Sequence, residues 1–274
     1  MKILICGDVV GRSGREVINH YVPKIIVEES IDFVVVNGEN AANGFGLNLK
    51  ICEDFYKKGV DVITSGNHIW DQKEVLNFIK KDKRLLRPIN FSKNTPGKGF
   101  GIFLMQNGTY IVVINVLCRL FMDMVDDPFE SLKSLINKIK DEYSKSIIIV
   151  DVHGEATSEK MAIGHFLDGQ VSAVVGTHTH VPTADLHLME KGTFFQADLG
   201  MCGDYDSVVG MNKNLSVQRF VNKHLKVRLE TARGKATLCG VIIEVNENNC
   251  KVEKFEQIFR DGILGKNNGR TFKI

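Results

Sequence analysis

Cysteine is sparse and unpatterned in this chain: Cys6, Cys52, Cys118, Cys202, Cys239 and Cys250, with no C-x-x-C pair among them. That scatter argues against a disulfide framework and reads as core thiols in a reducing cytoplasm. Excess charge of one sign is missing too. The 35 basic and 33 acidic residues leave a net charge of +2, so no DNA or membrane surface is indicated as the main partner, and no strong nucleic-acid binding is expected. No apolar run approaches the ~20 residues a membrane span needs. The stretch Met1–Asp8 holds too short an apolar run for a signal peptide and meets an acid at once. Repeats, low-complexity tracts and Pro/Ser-rich linkers are absent, and the five prolines are dispersed. What is present is ordinary core material, 43% hydrophobic over 274 residues, enough for one compact domain covering 1–274.

Short apolar runs alternate with longer amphipathic ones. Strands are expected at 2–6, 32–37, 60–64, 110–116, 146–152 and 171–176, and helices at 14–29, 47–58, 71–81, 128–142 and 158–167. Asp71 with Glu74, and Ser158 with Glu159, look like helix starts. Continuous β-branched runs between helices predict strands buried on both faces of an α/β layer structure. Asn107-Gly108 predicts a hairpin joining 100–106 to 110–116. Segments 192–200 and 236–258 read as further strands, with Asn248-Asn249 a tight turn, and 118–128 as a loop over one face.

The informative pattern is positional. The first strand runs into Gly7-Asp8, the second into Gly38-Glu39-Asn40, and the third into Gly66-Asn67-His68. Strand 146–152 ends at His153-Gly154-Glu155, and strand 171–176 at Gly176-Thr177-His178-Thr179-His180. In an open α/β sheet the carboxyl ends of the strands share one edge, where ligands bind. Singly, each motif has an ordinary reading. Asp8 could serve a turn, Asn37-Gly38 a hairpin, and Asn67-His68 a loop pair. His178 and His180, two apart in extended chain, would face one point. Together, five strand ends each carrying glycine beside Asp, Glu, Asn or His point to a metal edge. Two carboxylates, two amides and three histidines exceed a four-ligand zinc site, so two ions fit better than one. The mixed donors suit Fe or Mn, with Zn open.

In order and spacing, these motifs resemble the calcineurin-like metallophosphoesterases, whose motifs run D-x-H, G-D-x-x-D, G-N-H-E/D, H and G-H-x-H. The departures are informative. Asp8-Val9-Val10 lacks the first histidine, Glu39 stands where an Asp bridges, and Ile69 replaces the acid after His68. The phrases "GDVVGRSGR", "NGENAANG", "SGNHIWD" and "GTHTHVPTAD" are similar to the YmdB-type branch, and that likeness covers nearly the whole chain.

The resemblance implies an α/β fold, a four-layer αββα sandwich of two mixed β-sheets flanked by helices. It implies that Asp8, Asn40 and His180 hold one metal, that Asn67, His153 and His178 hold the other, and that Glu39 bridges them. It further implies hydrolysis of 2′,3′-cyclic nucleotides and related phosphodiesters by in-line attack of a metal-bridging hydroxide. His68 is the candidate general acid. Its usual orienting acid is missing, and Asp71 either serves instead or caps the next helix.

The expected partner is a small nucleotide phosphodiester, with homo-oligomer formation left open. One rival is a phosphomonoesterase or protein phosphatase on the same centre. Another is a nucleotide- or RNA-sensing regulatory module, with Arg12, Arg15 and the segment from Lys223 to Arg233 as phosphate contacts, although such charges commonly form a solvated face.

Overall fold

The computed structural model describes residues 1–222, 224 and 226–265; Lys223 lies outside the described residues. Its strands sort into two mixed sheets. The first has the order Asp8–Val9, Met201–Asp204, Ala236–Asn246, Lys2–Cys6, Phe33–Asn37, Val62–Thr64, and Lys251–Arg260 pairs with Ala236–Asn246. The second runs Phe100–Leu104, Tyr110–Leu117, Ser146–His153, Ala173–Thr177, Phe194–Gln196, His187–Leu188.

Side-chain alternation along the strands builds the layers. Ile3, Ile5, Phe33 and Val35 pack with Ile111, Val113, Ile147 and Ile149 between the two sheets. Their neighbours Leu4, Cys6, Val34 and Val36 face outward onto Ile18, Ile25, Ile51 and Phe55, carried by helices Gly11–Glu29 and Leu49–Lys57. On the far side, Val112, Ile114, Ile148 and Val150 meet Leu132, Ile136 and Ile163, from helices Pro128–Glu142 and Thr157–Leu167. This period-2 sorting of unbroken apolar runs is what strands covered on both faces require. The result is helix, sheet, sheet, helix, the four-layer αββα sandwich that the family resemblance implies.

Parallel pairing then sets the functional edge. Lys2–Cys6, Phe33–Asn37 and Val62–Thr64 run parallel, as do Tyr110–Leu117, Ser146–His153 and Ala173–Thr177. All six therefore end on a common side in their own sheets. The hairpin at Asn107-Gly108 and the turn at Asn248-Asn249 form as read.

One of the expected helices needs correction. The helix expected at 71–81 is a 3-10 turn over Asn67–Trp70 followed by a single helical turn, Val75–Phe78. Its would-be first residues are used elsewhere: Asp71 bonds His68, and the Gln72 amide donates to the Phe45 carbonyl at 2.8 Å. Ser158 and Glu159 do open a helix as expected, Thr157–Leu167, and Glu159 in its first turn has a second task. Its carboxylate accepts from the backbone N–H groups of Arg119 and Leu120 at 2.8–3.1 Å, tying down the 118–128 loop. The short strands Asp8–Val9, Met201–Asp204 and His187–Leu188, and the helix Lys213–Val221, were not foreseen. The two to four residues of those strands are too few for periodicity to register.

Candidate metal centre

Where the strand ends meet, the Nε2 atom of His153 is the hub. Glu39 Oε1 lies 3.0 Å away, Asn67 Oδ1 3.2 Å and His178 Nδ1 3.1 Å. Donor atoms of Glu39, His153 and His178 all fall within 4.8 Å of one another. Beside this group, His180 Nε2 faces Asn40 Oδ1 at 3.2 Å. Asp8 Oδ2 accepts from the His178 backbone N–H at 3.0 Å, while Oδ1 is buried without a hydrogen-bond partner, 3.8 Å from His153 Nδ1. All seven residues anticipated as ligands thus reach one edge, in two adjoining groups.

The outer partners decide which atoms face inward. His180 Nδ1 lies 2.8 Å from the Val209 carbonyl, which can only accept, so Nδ1 carries the proton and Nε2 presents its lone pair. His178 Nε2 is held by the Glu155 carboxylate at 3.2 Å, leaving Nδ1 directed inward. His153 Nδ1 meets Thr177 Oγ1 at 2.9 Å, and that hydroxyl gives its own hydrogen to Asp151 Oδ1 at 2.7 Å. The Asn40 amide donates to the Gly44 carbonyl at 3.0 Å, which turns its Oδ1 toward His180. Such anchoring of the second nitrogen is how proteins orient imidazole ligands.

Three acceptors therefore crowd a nitrogen able to carry a single proton. Burial raises the Glu39 carboxyl, but the charge and hydrogen bond of His153 outweigh it and hold Glu39 at about 2. Burial lowers the His153 imidazole, yet Glu39 and Asp8 raise it to about 9. Burial and the neighbouring His153 push His178 down to about 3, and burial lowers His180. One proton on His153 is all that balances this lone-pair cluster, and a cation can take that place. The orphaned Asp8 oxygen and the inward lone pairs fit a metal.

Space at the centre depends on Gly66. Its φ of −161° is open to any residue, but a Cβ there would lie 2.3 Å from both Glu39 Oε2 and His153 Nε2. Glycine is required for room rather than for conformation.

The H-x-H pair arrives differently from expectation. His178 and His180 have φ of 103° and 65°, so they sit in a left-handed loop rather than in extended chain. Alternation does not aim their rings; buried contacts do. Lys160 Nζ pairs with Asp198 Oδ2 at 2.9 Å, and the same carboxylate accepts from Thr179 N at 3.0 Å and Thr179 Oγ1 at 2.8 Å.

His68 stands at the rim. Its Nδ1 is 2.8 Å from Asp71 Oδ2, and its backbone N–H donates to Glu39 Oε2 at 3.3 Å. Of the two roles open to Asp71, the structure shows ring orientation. Sequence reasoning missed the supporting layer: Asn37, Asp151, Thr177, Lys160 and Asp198. A signal existed for Asp151, an acid inside an apolar strand two positions before His153 and so on the same face. None existed for Lys160, which reads as a solvent residue on an amphipathic helix.

Two packed mixed sheets with Asp, Glu, Asn and His at their shared edge define a calcineurin-like phosphoesterase. A profile of the YmdB-like protein family matches residues 4–258, and the chain belongs to that family. It is 45% identical over 258 residues to the 2′,3′-cyclic-nucleotide 2′-phosphodiesterase of Bacillus subtilis (strain 168), covering 94% of this chain and 96% of that one. Among solved structures, a hypothetical protein from Thermus thermophilus superposes with a TM-score of 0.88 at 38% identity, covering 96% of this chain and 100% of that one. A structure described as a novel phosphatase from Mycoplasma pneumoniae also gives 0.88, at 37% identity, with 95% and 93% covered.

Proposed function

We propose that this chain is a dinuclear-metal phosphodiesterase hydrolysing cyclic nucleotides of the 2′,3′ type. The observation that carries the reading is the set of inward lone pairs on His153, His178, His180, Asn40 and Asn67 around Glu39, each imidazole held from behind. The B. subtilis relative bears the corresponding activity in its name. Asp8, Asn40 and His180 would hold one ion, Asn67, His153 and His178 the other, with Glu39 between. Bound there, the ions would supply an activated water and neutralise phosphoryl charge. Carboxylate, amide and imidazole donors favour Fe or Mn, with Zn as the alternative.

The protein's own groups do the rest. Asp71 accepts from His68 Nδ1 and fixes the ring, so Nε2 is left for a substrate oxygen. In its protonated form His68 donates from Nε2 to the departing ribose oxygen and is left neutral. Glu39 holds the backbone of His68, coupling the proton donor to the metal edge.

A phosphomonoesterase on the same centre is the second reading, supported by the naming of the M. pneumoniae structure as a phosphatase. The deciding experiment couples metal analysis to a substrate panel. Purified protein is assayed on 2′,3′-cyclic nucleotides, linear diesters and a nitrophenyl monoester. Cyclic diester turnover well above the rest, with two Fe or Mn per chain, is expected; dominant monoester turnover would select the rival. Among the described residues no helix is long and apolar enough to cross a membrane. The six cysteines are free thiols, which supports the proposal of a reducing, cytoplasmic setting.

A further inference from the structure

Beside the metal edge lies a cavity of ≈ 620 Å³ whose lining includes Phe45, Gln72, Arg219, Arg228, Thr231 and Arg233. It adjoins the site through two of its lining residues. The Phe45 ring stands 5.2 Å from the His68 ring at 77°, and Gln72 directly follows Asp71, the partner of His68. Asn40, which faces His180, belongs to the same loop as Phe45, and its amide bonds the Gly44 carbonyl.

The opposite wall is fastened to the centre as well. Segment 230–232 is stapled to 210–212 through Asn212 N to the Glu230 carbonyl at 2.7 Å and Ala232 N to the Gly210 carbonyl at 2.8 Å. Ser13 Oγ donates to the Ala232 carbonyl at 3.0 Å. The neighbouring Val209 carbonyl is the one that orients His180. The three arginines are exposed, and none has an ion-pair partner among the described residues. Overall charge is only +2, and the lining sets three arginines against one acid, Glu230, so this is a local excess of cationic donors rather than a basic protein. Guanidinium groups bind phosphate as planar forks, and a half-buried aromatic offers a face to a base.

We propose that this cavity is a subsite for a second phosphate of the substrate, one nucleoside away from the bond that is cleaved. Arg219, Arg228 and Arg233 bind that phosphate, and Phe45 receives the intervening base. The preferred substrate class is then a nucleotide carrying two phosphates, such as the cyclic-phosphate end of an oligoribonucleotide, rather than a bare cyclic mononucleotide. This rests on the phosphodiesterase reading above and extends it to specificity.

The test compares three substrates on the metal-loaded enzyme: a nucleoside 2′,3′-cyclic phosphate, the same compound with a 5′-phosphate, and a dinucleotide ending in the cyclic phosphate. Either two-phosphate substrate should show the higher kcat/KM through a lower KM, and which gains more tells a terminal phosphate from an internucleotide one. In R228A and R233A the ratio of kcat/KM for the two-phosphate substrate over the one-phosphate substrate should fall about tenfold. Arg228→Lys should recover part of it. Equal kcat/KM across the three substrates, or an unchanged ratio in both variants, would overturn the proposal. If no phosphodiester is turned over at all, the reading of the previous subsection fails, and the cavity is then judged by binding. A labelled 5′-phosphorylated dinucleotide should bind the wild type with salt-sensitive anisotropy and bind R219A/R228A/R233A far more weakly. Equal binding by both would sink it.

Discussion

Lys160 and Asp198 form an ion pair of 2.9 Å in which each side chain is 1% exposed. Asp198 also accepts from Thr179, between the two histidines of the centre, and Lys160 donates to the Thr177 carbonyl at 3.2 Å. A fully buried charge is tolerated only with its partner in place. Lys160→Met should therefore cost about 3 kcal/mol or more of stability in urea unfolding, and weaken metal retention by loosening residues 177–180. Wild-type stability in the variant would show that the pair does not support that loop.

His68 and Asp71 should separate from the ligands by metal content. His68→Ala is expected to keep its metal while kcat falls ~10²–10⁴-fold, the range for a positioned proton donor. Asp71→Asn should lower kcat by a smaller factor, because the ring loses its anchor but keeps its proton. Full turnover in a metal-replete His68→Ala protein would remove the proton-donor role.

Gly66→Ala tests the room at the centre. A methyl group 2.3 Å from Glu39 Oε2 and His153 Nε2 has nowhere to go, so metal and activity should be lost together while far-ultraviolet circular dichroism stays near wild type. Thr177→Val removes the outer partner of His153 and should weaken metal binding ~10–100-fold. Retained stoichiometric metal in Gly66→Ala would contradict the placement.

Alkaline pH should destabilise the protein through its buried thiols. Hydrogen bonding to Cys202, with burial, raises Cys6; burial raises Cys239; and burial pushes Cys118 up to about 12. Above the ordinary thiol value of ~8.5 the unfolded chain releases these protons while the folded chain keeps them. Protons bound in the native state then exceed those in the unfolded state, so stability falls as pH rises from there toward 12. Urea midpoints at pH 7, 9 and 10.5 should decrease in that order; a rising series would refute the assignment. In native protein a thiol reagent should modify Cys250 first, since it is half-buried and the other five are buried.

Much of the edge was legible because β-structure converts sequence order into position. Asp8, Glu39, Asn67, His153 and His178 lie at or just beyond the ends of runs such as Phe33–Asn37 and Ser146–His153, whose parallel pairing puts their ends on one side. Helix 71–81 failed because its opening residues serve His68 and Phe45, a demand that periodicity does not record. His178 and His180 depart from the extended alternation expected of an H-x-H pair: they lie in a left-handed loop held by Asp198.

By itself the sequence determined which polar residues follow the strands, their order and the layered α/β class, since apolar periodicity and strand-end chemistry are local properties of the chain. Tertiary structure alone decided which nitrogen of each imidazole faces inward, and that Arg228 and Arg233 stand beside the site. It also joined Asn37 to Asp151 at 3.0 Å, across 114 positions and between the two sheets. Those outcomes depend on contacts between segments that no local pattern brings together; they arise only when both sheets close on a common core.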